Sequence, residues 1–258
     1  MRIAHNKRFF NQEETQDILN KYSLLKMSAN AIAKDYKCTS IVIYRILKEN
    51  KVICRDGYQC HRKHSINEHY FHKIDSSNKA YFLGLLYADG CVSINKNKCY
   101  TISIGLQARD KHILDFFNKE LEYNKPLRFV DRTKETNKQN SYNVEIYSKI
   151  IANDLIKLGC IPQKTFTLKW PTPEQVPDDL IHHFIRGFFD GDGTASIDHK
   201  WSVPRMRFGI VGTFDICFNF RKYLVEKLNF NNIKIVHHHH TKDLYYVLYS
   251  GNDNCRKF

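Results

Sequence analysis

From residue 79 onward the chain repeats itself, and no other feature constrains its fold as strongly. One copy begins KAYFLGLLYADGCVSI at Lys79, and the other begins HHFIRGFFDGDGTASI at His182. Each runs on through a strand-like segment, TISIGLQARD in the first copy and RMRFGIVGTFD in the second. An amphipathic stretch with helical spacing follows, HILDFFNKEL and FNFRKYLVEKL. Each copy then shows a second pair of strands, LRFV with YNVEIYS and IKIV with YYVLYS. A duplicated order of this kind predicts an α+β protein of two pseudo-symmetric α-β-β-α-β-β halves, with its site on the shared axis. The halves are expected over residues 79–172 and 173–258.

The opening helix of each half carries small residues four apart, Gly84 and Ala88 in one, Gly187 and Gly191 in the other. Residues at that spacing share a helix face. Glycine inside a helix costs roughly 0.5–1 kcal/mol relative to alanine, so the pattern calls for a reason. Close pairing of the two helices supplies it, because small faces let two backbones approach. Each ladder then meets acid: Asp89 precedes Gly90, and Asp192 precedes Gly193. Each glycine suits the position just past a helix end. If the helices lie side by side, two carboxylates and two negative dipole ends meet at one pole. That is electrostatically poor unless a divalent cation with oxygen ligands sits there. Such ions serve phosphoryl chemistry.

YFLGLLYADG and FIRGFFDGDG resemble the two motifs of the LAGLIDADG homing endonucleases, and the resemblance covers residues 80–258. It implies metal-dependent, site-specific cleavage of both strands of DNA, with short 3′ overhangs. Mg²⁺ is the implied cofactor, with Mn²⁺ or Ca²⁺ as substitutes. The metal would lie on Asp89 and Asp192, with the Gly90 and Gly193 carbonyls beside them. The position two before each aspartate is Tyr87 in one copy and Asp190 in the other, where the family usually has acid; Asp190 is read as accessory or structural. LGCIPQKTFTLKWP, residues 158–171, also resembles the family, and a lysine here implies a catalytic role, Lys169 as first choice and Lys164 as second. Gln107 resembles a residue that positions solvent. The family lays antiparallel sheets along the major groove, which implies DNA contacts from Arg128, Arg132, Lys134, Arg205, Arg207 and Lys234.

The second copy ends short. YNVEIYS continues into IIANDLIKLGCIPQKTFTLKWP, whereas YYVLYS is followed by GNDNCRKF alone. The second half is therefore expected to lack its last helix, leaving part of the core uncovered. A weakened relative is the alternative reading: a nickase, an RNA-splicing maturase that binds RNA, or a DNA-binding regulator.

Charge points the same way. Lys and Arg number 40 against 27 Asp and Glu, a formal charge of +13, which fits a polyanionic partner. Residues 12–50 read as helices, and SANAIAKDY-KCT-SIVIYRILKEN suits a helix-turn-helix DNA-binding domain over residues 1–50. Ser28 caps its first helix, and Ala29, Ile32 and Ala33 are placed where the helices touch. In the last helix Ile41, Ile43 or Tyr44, and Leu47 are assigned to the core. Thr39, Ser40, Val42 and Arg45 are assigned to the major groove.

Residues 51–78 read as a basic linker. Cys54, Cys60, His61 and His64 match no standard zinc spacing, and the His237–His240 run is an adventitious metal binder at most. The start has no apolar signal region, apolar runs are too short to span a bilayer, and the eight cysteines lack C-x-x-C pairs. An intracellular, membrane-free monomer acting on double-stranded DNA is the expectation.

Overall fold

The computed structural model describes residues 9–54, 63–96, 99–133, 139–199, 202–239, 241 and 243–258. The chain divides into two compact units, Met1–His64 and Ser65–Phe258.

The first unit is a trio of helices: α1 (Gln12–Ser23), α2 (Ala29–Asp35) and α3 (Ser40–Glu49). Each start is chemically marked. The Asn11 side chain accepts from the Glu14 amide while Glu14 reaches back to the Asn11 amide, a reciprocal cap. Ser28 accepts from the Ala31 amide at 3.1 Å. Ile18, Tyr22, Ala29, Ile32, Ala33, Val42, Ile43, Ile46 and Leu47 form a separate small core. The turn between α2 and α3 closes through the Cys38 amide on the Ala33 carbonyl, with Lys37 left-handed at φ 48°.

Here α3 is rotated from the sequence expectation. Val42, assigned to the groove, is buried, while Ile41, assigned to the core, is 67% exposed. Four residues, Val42, Ile43, Ile46 and Leu47, fill the inward face, and one helix has room for only one such stripe. The outward face falls on Ile41, Tyr44, Arg45 and Lys48. Thr39 and Ser40 are half-buried at the helix start.

The second unit carries the repeat. Its first half runs α4 (Ser77–Ala88), β1 (Cys91–Ile94), β2 (Tyr100–Gln107), α5 (Lys111–Glu120), β3 (Arg128–Val130), β4 (Ser141–Ile146) and α6 (Lys149–Lys157). The other half runs α7 (Ile181–Asp192), β5 (Gly193–Asp198), β6 (Arg205–Gly212), α8 (Phe214–Leu228), β7 (Val236–His237), β8 (Tyr245–Ser250) and α9 (Asn252–Lys257). The two antiparallel sheets have the same order, β1-β2-β4-β3 and β5-β6-β8-β7. One core joins both halves.

Three expectations change. The second half does have a last helix, α9, of six residues against nine in α6. Five polar residues around the single Cys255 show no apolar period, so the sequence hid it. It is held by Asn252, which accepts from the Met206 amide at 2.9 Å, and by Phe258, whose ring stacks on Phe208 at 4.4 Å. Coverage is still partial, since Ile197 is 55% exposed. The strand expected at IKIV forms only at Val236–His237. Finally, part of the expected linker belongs to the core. Tyr70, Phe71 and Ile74 are buried among the helices of the first half, and the Asn67 amide donates to the Leu121 carbonyl.

Candidate active site

Helices α4 and α7 meet backbone to backbone. A Cβ added at Gly84 would collide with the Phe184 carbonyl oxygen, and one at Gly187 with that of Tyr81. At Gly191 the neighbours are the Ala88 methyl and, at 3.1 Å, the Asp89 carboxylate. The small-residue faces thus do what their spacing implies, and the two helices end at the same pole.

Asp89 caps the end of α4 and Asp192 is the last residue of α7. Each stands where its helix hands the chain to a sheet. Both keep exposed surface. Burial raises the Asp89 carboxyl above its ordinary value, and the Lys164 ammonium opposes that rise. Asp192 is pushed up to about 6, by burial first and by Asp89 second, again against Lys164. Two carboxylates close enough to disturb each other, at two negative helix ends, favour positive charge between them.

Lys164 supplies part of that charge. It opens a short 3₁₀ turn, Lys164–Phe166, and its Nζ donates to the Ala88 carbonyl at 3.2 Å and the Gly90 carbonyl at 2.6 Å. The Ala88 oxygen is one that the helix end leaves without an internal partner, and the Gly90 oxygen lies just past that end. Lys169, the first choice from sequence, is exposed in a segment fastened to the start of α8. There Thr213 donates to the Leu168 carbonyl, and the Trp170 amide donates to Asp215 at 2.6 Å. The structure puts Lys164, and not Lys169, beside the carboxylates.

The remaining candidates fall into two groups. Gln107 is exposed at the end of β2, opposite Ser141, and lines a polar groove with Gly105, Arg132, Gln139 and Asn143. In the second half, the turn from β6 into α8 holds Thr213, whose hydroxyl caps α8. Asp190 is exposed and accepts from the Tyr81 hydroxyl at 2.8 Å, while the Arg186 guanidinium lies 4.7 Å over the Tyr81 ring. That clasp fastens the outer edges of α4 and α7. Tyr81 and Tyr87 were missed from sequence, because an aromatic within an apolar helix gives no sign of what its hydroxyl will reach.

Two oxygen-bearing carboxylates suit a hard cation. Mg²⁺ is commonly held by one or two carboxylates with water and substrate phosphate completing its shell. The Gly90 carbonyl fits less well than expected, since an ammonium already occupies it. Gly193 begins β5, paired with Ile210. Among the described residues no group of three or more His, Cys, Asp or Glu could hold a metal. Cys54 is exposed and His64 half-buried; Cys60, His61, His240 and Lys134 lie outside the described residues.

Each sheet turns a polar face outward. In β2 and β4 the buried residues are Ile102, Ile104, Val144 and Ile146, so Thr101, Ser103, Gly105, Gln107, Asn143 and Glu145 point the other way. Arg128, opposite Asn143, joins that face and pairs with Glu145 at 3.2 Å. On the second sheet Arg205 and Arg207 share the outer face with Asp198, and Arg207 bonds it at 2.8 Å. Arg132 is half-buried with its Nε unpartnered, and Lys234 is exposed before β7. No helix among the described residues is long and apolar enough to cross a membrane.

Comparison with known proteins gives no matching family and no matching curated protein. Solved structures do match. These neighbours are LAGLIDADG homing endonucleases. I-LtrWI bound to target DNA is 12% identical with a TM-score of 0.47, over 74% of this chain and 82% of that one. I-SmaMI bound to uncleaveable DNA is 12% identical with a TM-score of 0.46, over 71% and 80%. Mesophilic variants of I-DmoI are 16% identical with a TM-score of 0.43, over 70% and 92%.

Proposed function

We propose that the chain is a site-specific DNA endonuclease that hydrolyses one phosphodiester on each strand. One observation carries the reading: glycine-lined helices bring Asp89 and Asp192 to a single pole, each where its helix enters a sheet with a polar outer face. A divalent cation bound by those carboxylates would supply charge for the phosphoryl oxygens and for activation of water. The chain's own residues do the rest. Lys164 holds the end of α4 and offsets the carboxylate charge. Gln107 and the outward residues of the sheets bind and orient the duplex, with Arg128 on the phosphate backbone.

The three-helix unit is read as a second DNA contact, a helix-turn-helix. Its outward stripe keeps Arg45 from the sequence assignment and sets Ile41, Tyr44 and Lys48 beside it in place of Val42. Apolar groups there suit thymine methyls, and the basic groups suit guanine or phosphate.

The test is incubation of a supercoiled plasmid library with the full chain and Mg²⁺. Linear product is the expected outcome, and Asp192→Asn should abolish it while sparing DNA binding. Retained double-strand cutting by that variant sinks the assignment. Nicked product alone identifies a nickase, and tight binding without product identifies a regulator. The occupied Gly90 carbonyl is the feature that favours a weakened enzyme.

A further inference from the structure

The two halves differ at the position two residues before each aspartate, and the difference reaches the lysine. In the second half this position is Asp190, exposed and bonded to Tyr81. In the first half it is Tyr87, which is 1% exposed. Its ring meets Phe184 of α7 edge to face at 4.9 Å, and its hydroxyl donates to the Leu158 carbonyl at 2.5 Å.

Leu158 begins the segment that ends at Lys164. Along it, bonds to the last turn of α4 recur in order. Tyr87 takes the Leu158 carbonyl, the Cys160 thiol donates to the Leu86 carbonyl at 3.5 Å, and Lys164 takes the carbonyls of Ala88 and Gly90. Gly159 allows the path: its φ is +95°, and a Cβ there would collide with the Tyr87 hydroxyl. Gln163, also left-handed at φ 55°, then turns the chain so that Lys164 can reach back. Leu158 and Cys160 are themselves buried.

We infer that Tyr87 is a positioning residue: through its bond to Leu158 it fixes residues 158–164 against α4 and so holds Lys164 beside Asp89. An aspartate at this position, as in the second half, would be buried and too short to reach the Leu158 carbonyl. The tyrosine and the lysine therefore form one device belonging to the first half, and Asp190 has a different task. This inference rests on the nuclease reading for its catalytic consequence, though not for its structural one.

The decisive variant is Tyr87→Phe in the full chain, which removes the hydroxyl and keeps the ring on Phe184. Tyr81→Phe is the control, since it removes a hydroxyl from the opposite edge of the helix pair. Hydrogen exchange on the free protein should show faster exchange over residues 158–166 in Tyr87→Phe, with α7 unchanged, and no such change in Tyr81→Phe. On a duplex recovered from the cleaved library, with each strand end-labelled, Tyr87→Phe should slow one strand roughly tenfold more than the other. The double variant Tyr87→Phe/Lys164→Ala should cut no more slowly than Lys164→Ala alone.

Wild-type exchange over 158–166 in Tyr87→Phe overturns the inference. Equal slowing of both strands also overturns it, because a general loss of stability has no strand preference. If the wild-type chain cuts no DNA, the nuclease reading fails, and the exchange result by itself then supports or overturns the hold of Tyr87 on the segment.

Discussion

Helix α4 is buried on every side from Ala80 to Tyr87, whereas α7 turns only one side inward and leaves His182, Arg186 and Asp190 in solvent. Both ends nonetheless present an aspartate at the same pole. What the halves share is the contact between them, which demands small residues from each helix because backbone meets backbone. What they do not share is their covering. The inner face of the first sheet lies under α6 and the segment that follows it, including buried Ile151, Leu155 and Cys160. The inner face of the second lies under six-residue α9 and the Phe258 ring. A duplicated chain can thus keep its axis while its flanks diverge, since only the axis is constrained from two sides at once.

The largest effects should fall on what is shared. Gly84→Val and Gly187→Val should each cost at least about 3 kcal/mol, because the clash is with backbone that cannot step aside. Thermal unfolding reads this, and a variant of either glycine that melts like wild type would break the equivalence of the two helices. Next is the lysine, where the halves differ. Lys164→Ala should lower single-turnover cleavage about 10²-fold, the scale of losing one charge-stabilising donor, while Lys169→Ala leaves it near wild type. The reverse ranking would return the role to Lys169.

The outer faces of the sheets offer a smaller contrast. The Arg128 side chain is 65% exposed and that of Arg207 37%, with Asp198 beneath the latter at 13%. Arg128→Ala should reduce the salt dependence of DNA binding by about one unit of slope. Arg207→Ala should mainly cost stability, about 1 kcal/mol, by removing its bond to Asp198. Binding titrations at several salt concentrations, set beside melting curves, separate the two roles. Smallest is Tyr81→Phe, which frees Asp190 from the clasp. About 0.5 kcal/mol, or ~1–2 °C in Tm, is expected, with the ratio of strand cleavage unchanged.

Much of this was legible in the chain. Element order, the helix pair and the placement of Asp89 and Asp192 follow from a repeat whose two copies corroborate each other. The errors fell where that support was missing. A single helix with apolar residues at 41, 42, 43, 46 and 47 has more than one plausible phase, and α3 settled with Ile41 outward. Tyr70, Phe71 and Ile74 stood among histidines and lysines, so their run looked like linker. GNDNCRKF carries no period at all, yet Asn252 and Phe258 fix it by contacts with β6.

By itself the sequence determined the duplicated architecture, the small-residue contact between α4 and α7, and the meeting of two carboxylates at the helix ends. Those are consequences of local spacing, since a helix face or a strand face is set by residues a few positions apart. Only the tertiary structure decided that Lys164 reaches the end of α4, that Tyr87 holds the segment carrying it, and that Asp190 clasps Tyr81 instead. Those partners lie far apart along the chain, on long side chains able to reach several oxygens, and which one each meets depends on how distant segments are brought together.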